Sequence, residues 1–133
     1  MHIAYIMRGL PGSGKSTVAR QIGENRLCEI HSTDNYFVEN GEYRFDPSKL
    51  AQYHRANLAA FATACQEKIP IVICDNTNTQ KWEFEPYVRV ARKEGYIVVF
   101  VKLDHPSAFV CAERNTHGVP MDAIQRMIER WED

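Results

Sequence analysis

Gly9-Leu10-Pro11-Gly12-Ser13-Gly14-Lys15-Ser16, followed by Thr17, is a glycine-rich run closed by a lysine and two hydroxyl residues. This spacing is the pattern of a phosphate-binding P-loop. Its glycines let the backbone turn tightly and bring consecutive N–H groups to phosphate oxygens. The helix that follows adds its free N-terminal N–H groups and the positive end of its dipole. Gly9 through Thr17 are therefore the expected nucleotide-binding set. Within it Lys15 reaches the β and γ phosphates as a point charge, and the Ser16 hydroxyl joins a Mg²⁺ shell. The flanks suit this reading, because His2 to Met7 is short and apolar, as a buried strand should be, and Thr17 to Ile22 continues as a helix.

The chain has 133 residues, 44% of them hydrophobic and 25% charged, which predicts one globular domain over residues 1–133. A formal net charge of −1 gives no global field to draw in nucleic acid, so any polyanion affinity has to come from a local patch. The first apolar run is too short for a signal peptide and breaks at Arg8-Gly9, and no run approaches the ~20 apolar residues of a membrane span. Cys28, Cys65, Cys74 and Cys111 are far apart, with neither a CxxC pair nor metal-ligand spacing. Reduced core thiols in a cytoplasmic protein without a membrane partner are expected.

Leu27 to His31 reads as a second strand, and Ser32-Thr33-Asp34 follows its C-terminal end. Ligands of open α/β sheets bind along that edge, so Asp34 is a candidate general base for an acceptor hydroxyl. The alternative is that Asp34 caps the next turn. Residues 35–45 set Glu39-Asn40-Gly41-Glu42 between aromatic runs, a small hairpin or excursion on the acceptor side. Asp46-Pro47 opens a helix whose stripe Leu50, Tyr53, Asn57, Leu58, Phe61 and Cys65 is mostly core. On it His54 and Asn57 share a face that reads as hydrogen-bonded helix surface or as pocket lining.

Ile69 to Cys74 is nearly all apolar, as a central parallel strand should be, and ends in Asp75-Asn76-Thr77-Asn78. Asp75 stands where a Walker-B-like aspartate holds a Mg²⁺-bound water, or else belongs to a capping box with Thr79 as cap. Trp82, Phe84, Tyr87, Val88 and Ala91 give the next helix its apolar content, and Gly95 stops it. Tyr96 to Leu103 is a fourth strand. Pro106 to Arg114 is a short helix, and after Asn115-Thr116-His117-Gly118 a last helix starts at Val119-Pro120-Met121 and runs to the end, with Ile124, Met127, Ile128 and Trp131 inward. Two helices around a polar, glycine-containing loop predict a C-terminal lid. Arg114 at the break either reaches the transferring phosphate or is a solvated helix-terminal arginine. The alternation predicts a three-layer α/β P-loop sandwich with a short, mostly parallel sheet of about four strands, ordered 2-3-1-4.

The blocks Arg8 to Thr17, Ser32-Thr33-Asp34, Asp75 to Asn78 and Arg114 to Pro120 occur in the order found in another family. In them the chain resembles the P-loop polynucleotide 5′-hydroxyl kinases and the related stand-alone ATP-binding proteins of the AAA type. The resemblance covers most of the chain. It implies that Lys15 and Ser16 hold ATP·Mg²⁺, that Asp34 is the general base, that Arg114 is the lid arginine, and that Asp75 supports the site. Two departures accompany it. Kinases of this type tend to carry an arginine shortly after the base, where this chain has Asn35-Tyr36-Phe37, and Arg44 or Lys49 is the nearest substitute. The chain also ends at Asp133 with the lid helix, where those kinase domains add a strand and an adenine-contacting segment, which implies weaker ATP affinity or base selectivity.

The expected activity is ATP-dependent transfer of the γ-phosphoryl to a hydroxyl, foremost the 5′-OH of a polynucleotide or nucleotide. A small-molecule acceptor such as a metabolite, sugar or antibiotic is the second reading, and a non-catalytic ATP-binding module the third. A GTPase is disfavoured by the lack of an Asn-Lys-x-Asp motif and of Asp-x-x-Gly after the third strand.

Overall fold

The computed structural model describes residues 1–24, 26–104 and 107–133. Four strands, β1 (Ile3–Arg8), β2 (Cys28–His31), β5 (Ile71–Asp75) and β6 (Ile97–Lys102), form one parallel sheet in the order β2-β5-β1-β6. This is the expected 2-3-1-4 arrangement. Side chains alternate across the sheet, and the sequence supplies an apolar residue to both faces. Ala4, Ile6, Val72 and Cys74 pack against α2 (Leu50–Gln66) and α3 (Lys81–Lys93). Met7, Ile71 and Ile73 face α1 (Lys15–Gly23) through Ala19. Helices α4 (Ala108–Arg114) and α5 (Met121–Glu129) form a third cluster in which Ala108, Cys111 and Ile124 close on Leu10 of the P-loop.

Asn40-Gly41 turns the hairpin of β3 (Val38–Glu39) and β4 (Glu42–Tyr43), with φ of 51° and 80°. Two consecutive positive φ values are what a two-residue I′ turn demands, and Asn-Gly meets the demand most easily. Asp46 caps as expected by accepting from the Ser48 N–H at 3.0 Å, although the turn it opens is a 3-10 turn over Pro47–Lys49 that hands on to α2.

The structure departs from the sequence reading at several points. Of the residues that give α3 its apolar content, Trp82 is 68% exposed, because Phe84, Tyr87, Val88 and Ala91 already fill the inner face. Asn57 is buried rather than on a surface, and its amide donates to the Tyr87 hydroxyl at 2.9 Å, joining α2 to α3. The capping box of α3 belongs to Gln80 and Glu83 and not to Thr79, for Gln80 is the cap, and the Glu83 carboxylate accepts its N–H at 2.8 Å and the Thr79 hydroxyl at 2.6 Å. Helix α5 ends at Glu129, before the terminus. Pro106, expected at the start of α4, lies outside the described residues. No disulfide joins the cysteines among the described residues, and burial pushes the Cys74 thiol up to about 12. No helix among the described residues is long and apolar enough to cross a membrane.

Arg8 ties the sheet to both ends of this arrangement. Its buried guanidinium lies 4.6 Å from the Phe84 ring and 4.7 Å from that of Trp131. It donates to the carbonyls of Asn78, Thr79 and Glu132. A planar cation that stacks on two rings while bonding three carbonyls has no equivalent in lysine. Arg8→Ala is expected to lower unfolding free energy by about 3 kcal/mol, and Arg8→Lys to recover little of it. Denaturant midpoints at unchanged slope measure the loss, and wild-type stability in either variant contradicts this account.

Candidate active site

The P-loop leaves β1 at its C-terminal end and is anchored there by the Gly9 N–H on the Thr77 carbonyl at 3.1 Å. Gly12 has φ +81°, and a Cβ placed on it would stand 2.5 Å from the Cys111 carbonyl oxygen. Only glycine permits so close an approach, which seats the end of α4 directly on the loop. Leu10 is buried under that helix, whereas Pro11 and Ser13 are half-buried. Ser13 Oγ is enclosed with no hydrogen-bond partner among the described residues. Gly14, φ +93°, precedes α1, and the exposed Thr17 hydroxyl accepts from Arg20 at 3.5 Å.

Asp75 ends β5, the strand beside β1, and its carboxylate bridges the P-loop residues. Lys15 Nζ lies 3.1 Å from Oδ1, and the Ser16 hydroxyl donates to Oδ2 at 2.9 Å. The capping alternative for Asp75 is not realised, since α3 is capped by Gln80 and Glu83. A hydroxyl and a carboxylate this close are two hard oxygen donors. Among the described residues no cluster of three or more His, Cys, Asp or Glu side chains could hold a metal alone. The pair fits Mg²⁺, which keeps several waters and takes its remaining ligands from phosphates.

Asp34 stands on the other side of Asp75, just past β2. Its side chain does not cap the 3-10 turn over Thr33–Phe37, whose cap position is Ser32 and carries no side-chain bond. Instead Oδ1 accepts from the Tyr43 hydroxyl at 3.2 Å, and Oδ2 lies 3.3 Å from His117 Nδ1. The Tyr43 and His117 rings stack with centroids 4.0 Å apart and planes 18° from parallel. Burial, and secondarily the charge and hydrogen bond of Asp34, raise the Tyr43 pKa, so the phenol keeps its proton. Hairpin and lid thus converge on one carboxylate. Asn115 holds the lid side in place: its amide NH₂ bonds the carbonyls of Cys111, Ala112 and Val119, while its oxygen accepts the His117 and Val119 N–H groups.

Tyr43, His117 and Asn115 were not singled out by sequence. The signal available was position alone, since His117 and Asn115 fall in the Arg114 to Pro120 block and Tyr43 in the aromatic run beside the hairpin turn. Arg114 is exposed in the last turn of α4, one turn from the Cys111 carbonyl that touches Gly12. Arg44 is committed to Glu42 at 2.9 Å on the exposed hairpin, and Lys49 is exposed in the 3-10 turn before α2.

Parallel pairing puts the three pieces on one edge, in the lateral order Asp34, Asp75, P-loop. Adjacent strands are about 4.8 Å apart, so β2 and β1 stand about 10 Å apart. Comparison with known proteins bears on the family and the fold. A model of the AAA domain family matches residues 5–132. Human NEDD4-binding protein 2 is 42% identical over 134 residues, a match that takes in 98% of this chain and 8% of that protein. The chain therefore spans less than a tenth of that relative's length. A chain in the structure of the Pnkp1/Rnl/Hen1 RNA repair complex superposes with a TM-score of 0.75 at 20% identity, over 98% of this chain and 44% of that one. A gluconokinase from Sinorhizobium meliloti 1021 gives 0.66 at 22% identity, over 98% and 75%. At those identities the likeness is one of fold, a P-loop kinase-like fold. The family match covers nearly the whole chain, and on it the chain belongs to the AAA domain family.

Proposed function

We propose that this chain transfers the γ-phosphoryl group of ATP to a hydroxyl, with the 5′-OH of a polynucleotide or nucleotide as acceptor. One observation carries the reading: a carboxylate held by two side chains, Asp34, shares a sheet edge with the Lys15–Asp75–Ser16 centre. When bound, ATP with Mg²⁺ supplies the transferable group and part of its charge neutralisation. Ser16 and Asp75 would hold the metal. The P-loop N–H groups and Lys15 bind the phosphates, and Asp34 takes the proton of the acceptor hydroxyl. Arg114, near Gly12, adds positive charge as the lid closes.

The polynucleotide part draws on the likeness to a chain of an RNA repair complex. The gluconokinase likeness and the net charge of −1 favour a small hydroxylated acceptor as the second reading. Incubation with γ-labelled ATP, Mg²⁺ and a short 5′-OH oligonucleotide, beside a 5′-phosphorylated control, separates them. Label on the 5′-OH strand alone is the expected result. Label on members of a sugar and metabolite panel, and none on the strand, overturns the polynucleotide acceptor. Nucleotide binding with no transfer to either overturns the kinase.

A further inference from the structure

Between the first halves of α2 and α3, over the segment that follows β5, lies a cleft of about 190 Å³ that the reaction above does not use. Leu58 and Pro86 give it apolar walls. At its rim stand Trp82, whose indole is exposed and oriented by an Nε1–H bond to Gln80 at 3.0 Å, and Arg55. Arg55 is exposed and has no hydrogen-bond or ion-pair partner among the described residues. A largely exposed indole and a guanidinium with no ion-pair partner among the described residues line the same cleft, and together they match a flat ring joined to an anion.

The floor connects to the reaction centre. Asn76 lines the cleft, follows Asp75, and accepts the Thr33 N–H at 2.9 Å. His54 lines it too, and its Nδ1 is 3.0 Å from the Thr33 hydroxyl. Thr33 precedes Asp34 and Asn76 follows Asp75, so the cleft's floor adjoins both carboxylates along the chain. Asn78, Tyr87 and Glu83 line it as well; the Asn78 Oδ1 is buried with no donor among the described residues, and the Glu83 carboxylate is taken up by the Thr79 hydroxyl and the Gln80 N–H. The chain's net charge of −1 calls for a local cation if any phosphate is to be held, and with Arg44 tied to Glu42, Arg55 is placed to provide it.

We propose that this cleft binds a nucleobase of the acceptor strand, the ring stacked on Trp82 and the adjoining phosphate on Arg55. Every base has a face for an aromatic ring, so the site accepts a strand of any sequence, and the guanidinium takes a phosphate in bidentate fashion. The identity of the ligand rests on the kinase reading; its binding does not require transfer.

The test uses the full chain without ATP and a short, dye-labelled, 5′-phosphorylated single strand at fixed salt. Anisotropy gives affinity, and tryptophan fluorescence reports stacking. Quenching by the strand is expected, lost in Trp82→Leu, and Trp82→Leu and Arg55→Ala should each bind about ten-fold more weakly. Both side chains are exposed, so wild-type melting curves are expected for the variants. Unchanged affinity in both variants, or quenching that persists in Trp82→Leu, overturns the cleft even if the wild type phosphorylates a 5′-OH. Weakened binding in the variants, beside a wild type that transfers to nothing, supports the cleft and overturns the kinase. Quenching by ATP with none by the strand overturns the proposal.

Discussion

Replacing Asp34 with asparagine is expected to cut phosphoryl transfer by about 10²- to 10⁴-fold and leave nucleotide affinity nearly unchanged. Asparagine has the same shape and keeps an oxygen for the Tyr43 hydroxyl, so the hairpin should stay in place. What it loses is the capacity to accept the hydroxyl proton. The contact with His117 is lost as well, but the two side chains are 43% and 34% exposed, and pairs so well solvated contribute little to stability. The P-loop lies two strands away across Asp75, beyond direct contact, which is why binding of the nucleotide should be spared. Single-turnover transfer and calorimetric nucleotide binding, measured on one preparation, separate the two effects. Surviving transfer would remove Asp34 from proton abstraction. A parallel fall in nucleotide affinity would place Asp34 in the donor site instead. A drop in melting temperature with an intact rate would mean a structural carboxylate.

The parts of this site that were legible in the sequence are those built from neighbours in the chain. Gly9 to Ser16 and Asp75 could be read because loop spacing and the end of an apolar strand are local properties, and parallel α/β connectivity then leaves few ways to order the strands. The environment of Asp34 could not be read in the same way. Tyr43 and His117 reach it from a hairpin and from the lid, and only tertiary folding brings them together. The burial of Asn57 and the exposure of Trp82 were not legible for a related reason. Helical spacing tells which residues share a stripe, but a buried amide needs a partner such as the Tyr87 hydroxyl, which the stripe does not reveal. Conversely, an apolar residue is left outside once a neighbouring set has filled the inner face, as on α3. Arg8 shows the same limit at the core: its place between Phe84 and Trp131 depends on where the C-terminal segment settles.

Lys15→Ala should affect stability and chemistry together, and the coupling is a consequence of the Asp75 bridge. With side chains only 11% and 5% exposed, Lys15 and Asp75 form the most enclosed ion pair among those described. Truncating the lysine leaves a buried carboxylate with the Ser16 hydroxyl as its remaining donor in the P-loop. The expected cost is about 2 kcal/mol, lower than for a wholly abandoned charge because that hydroxyl stays. Asp75→Asn in the same background removes the orphaned charge and should return most of the stability. It should not return activity. On the kinase reading Lys15 is a cation for the transferring phosphate, and its loss should lower turnover by about 10²- to 10³-fold. Nucleotide affinity should fall by about ten-fold, since the same reading has Lys15 bind the phosphates before the reaction as well. Thermal melting with and without nucleotide, set beside the transfer rate for the two single variants and the double variant, tests the whole scheme. If the double variant regains stability and remains inactive, Lys15 and Asp75 are a structural pair in the empty site and separate ligands in the filled one. If Lys15→Ala melts like the wild type, the bridge carries no strain-free charge compensation. If it transfers phosphate at the wild-type rate, the P-loop has no part in the mechanism.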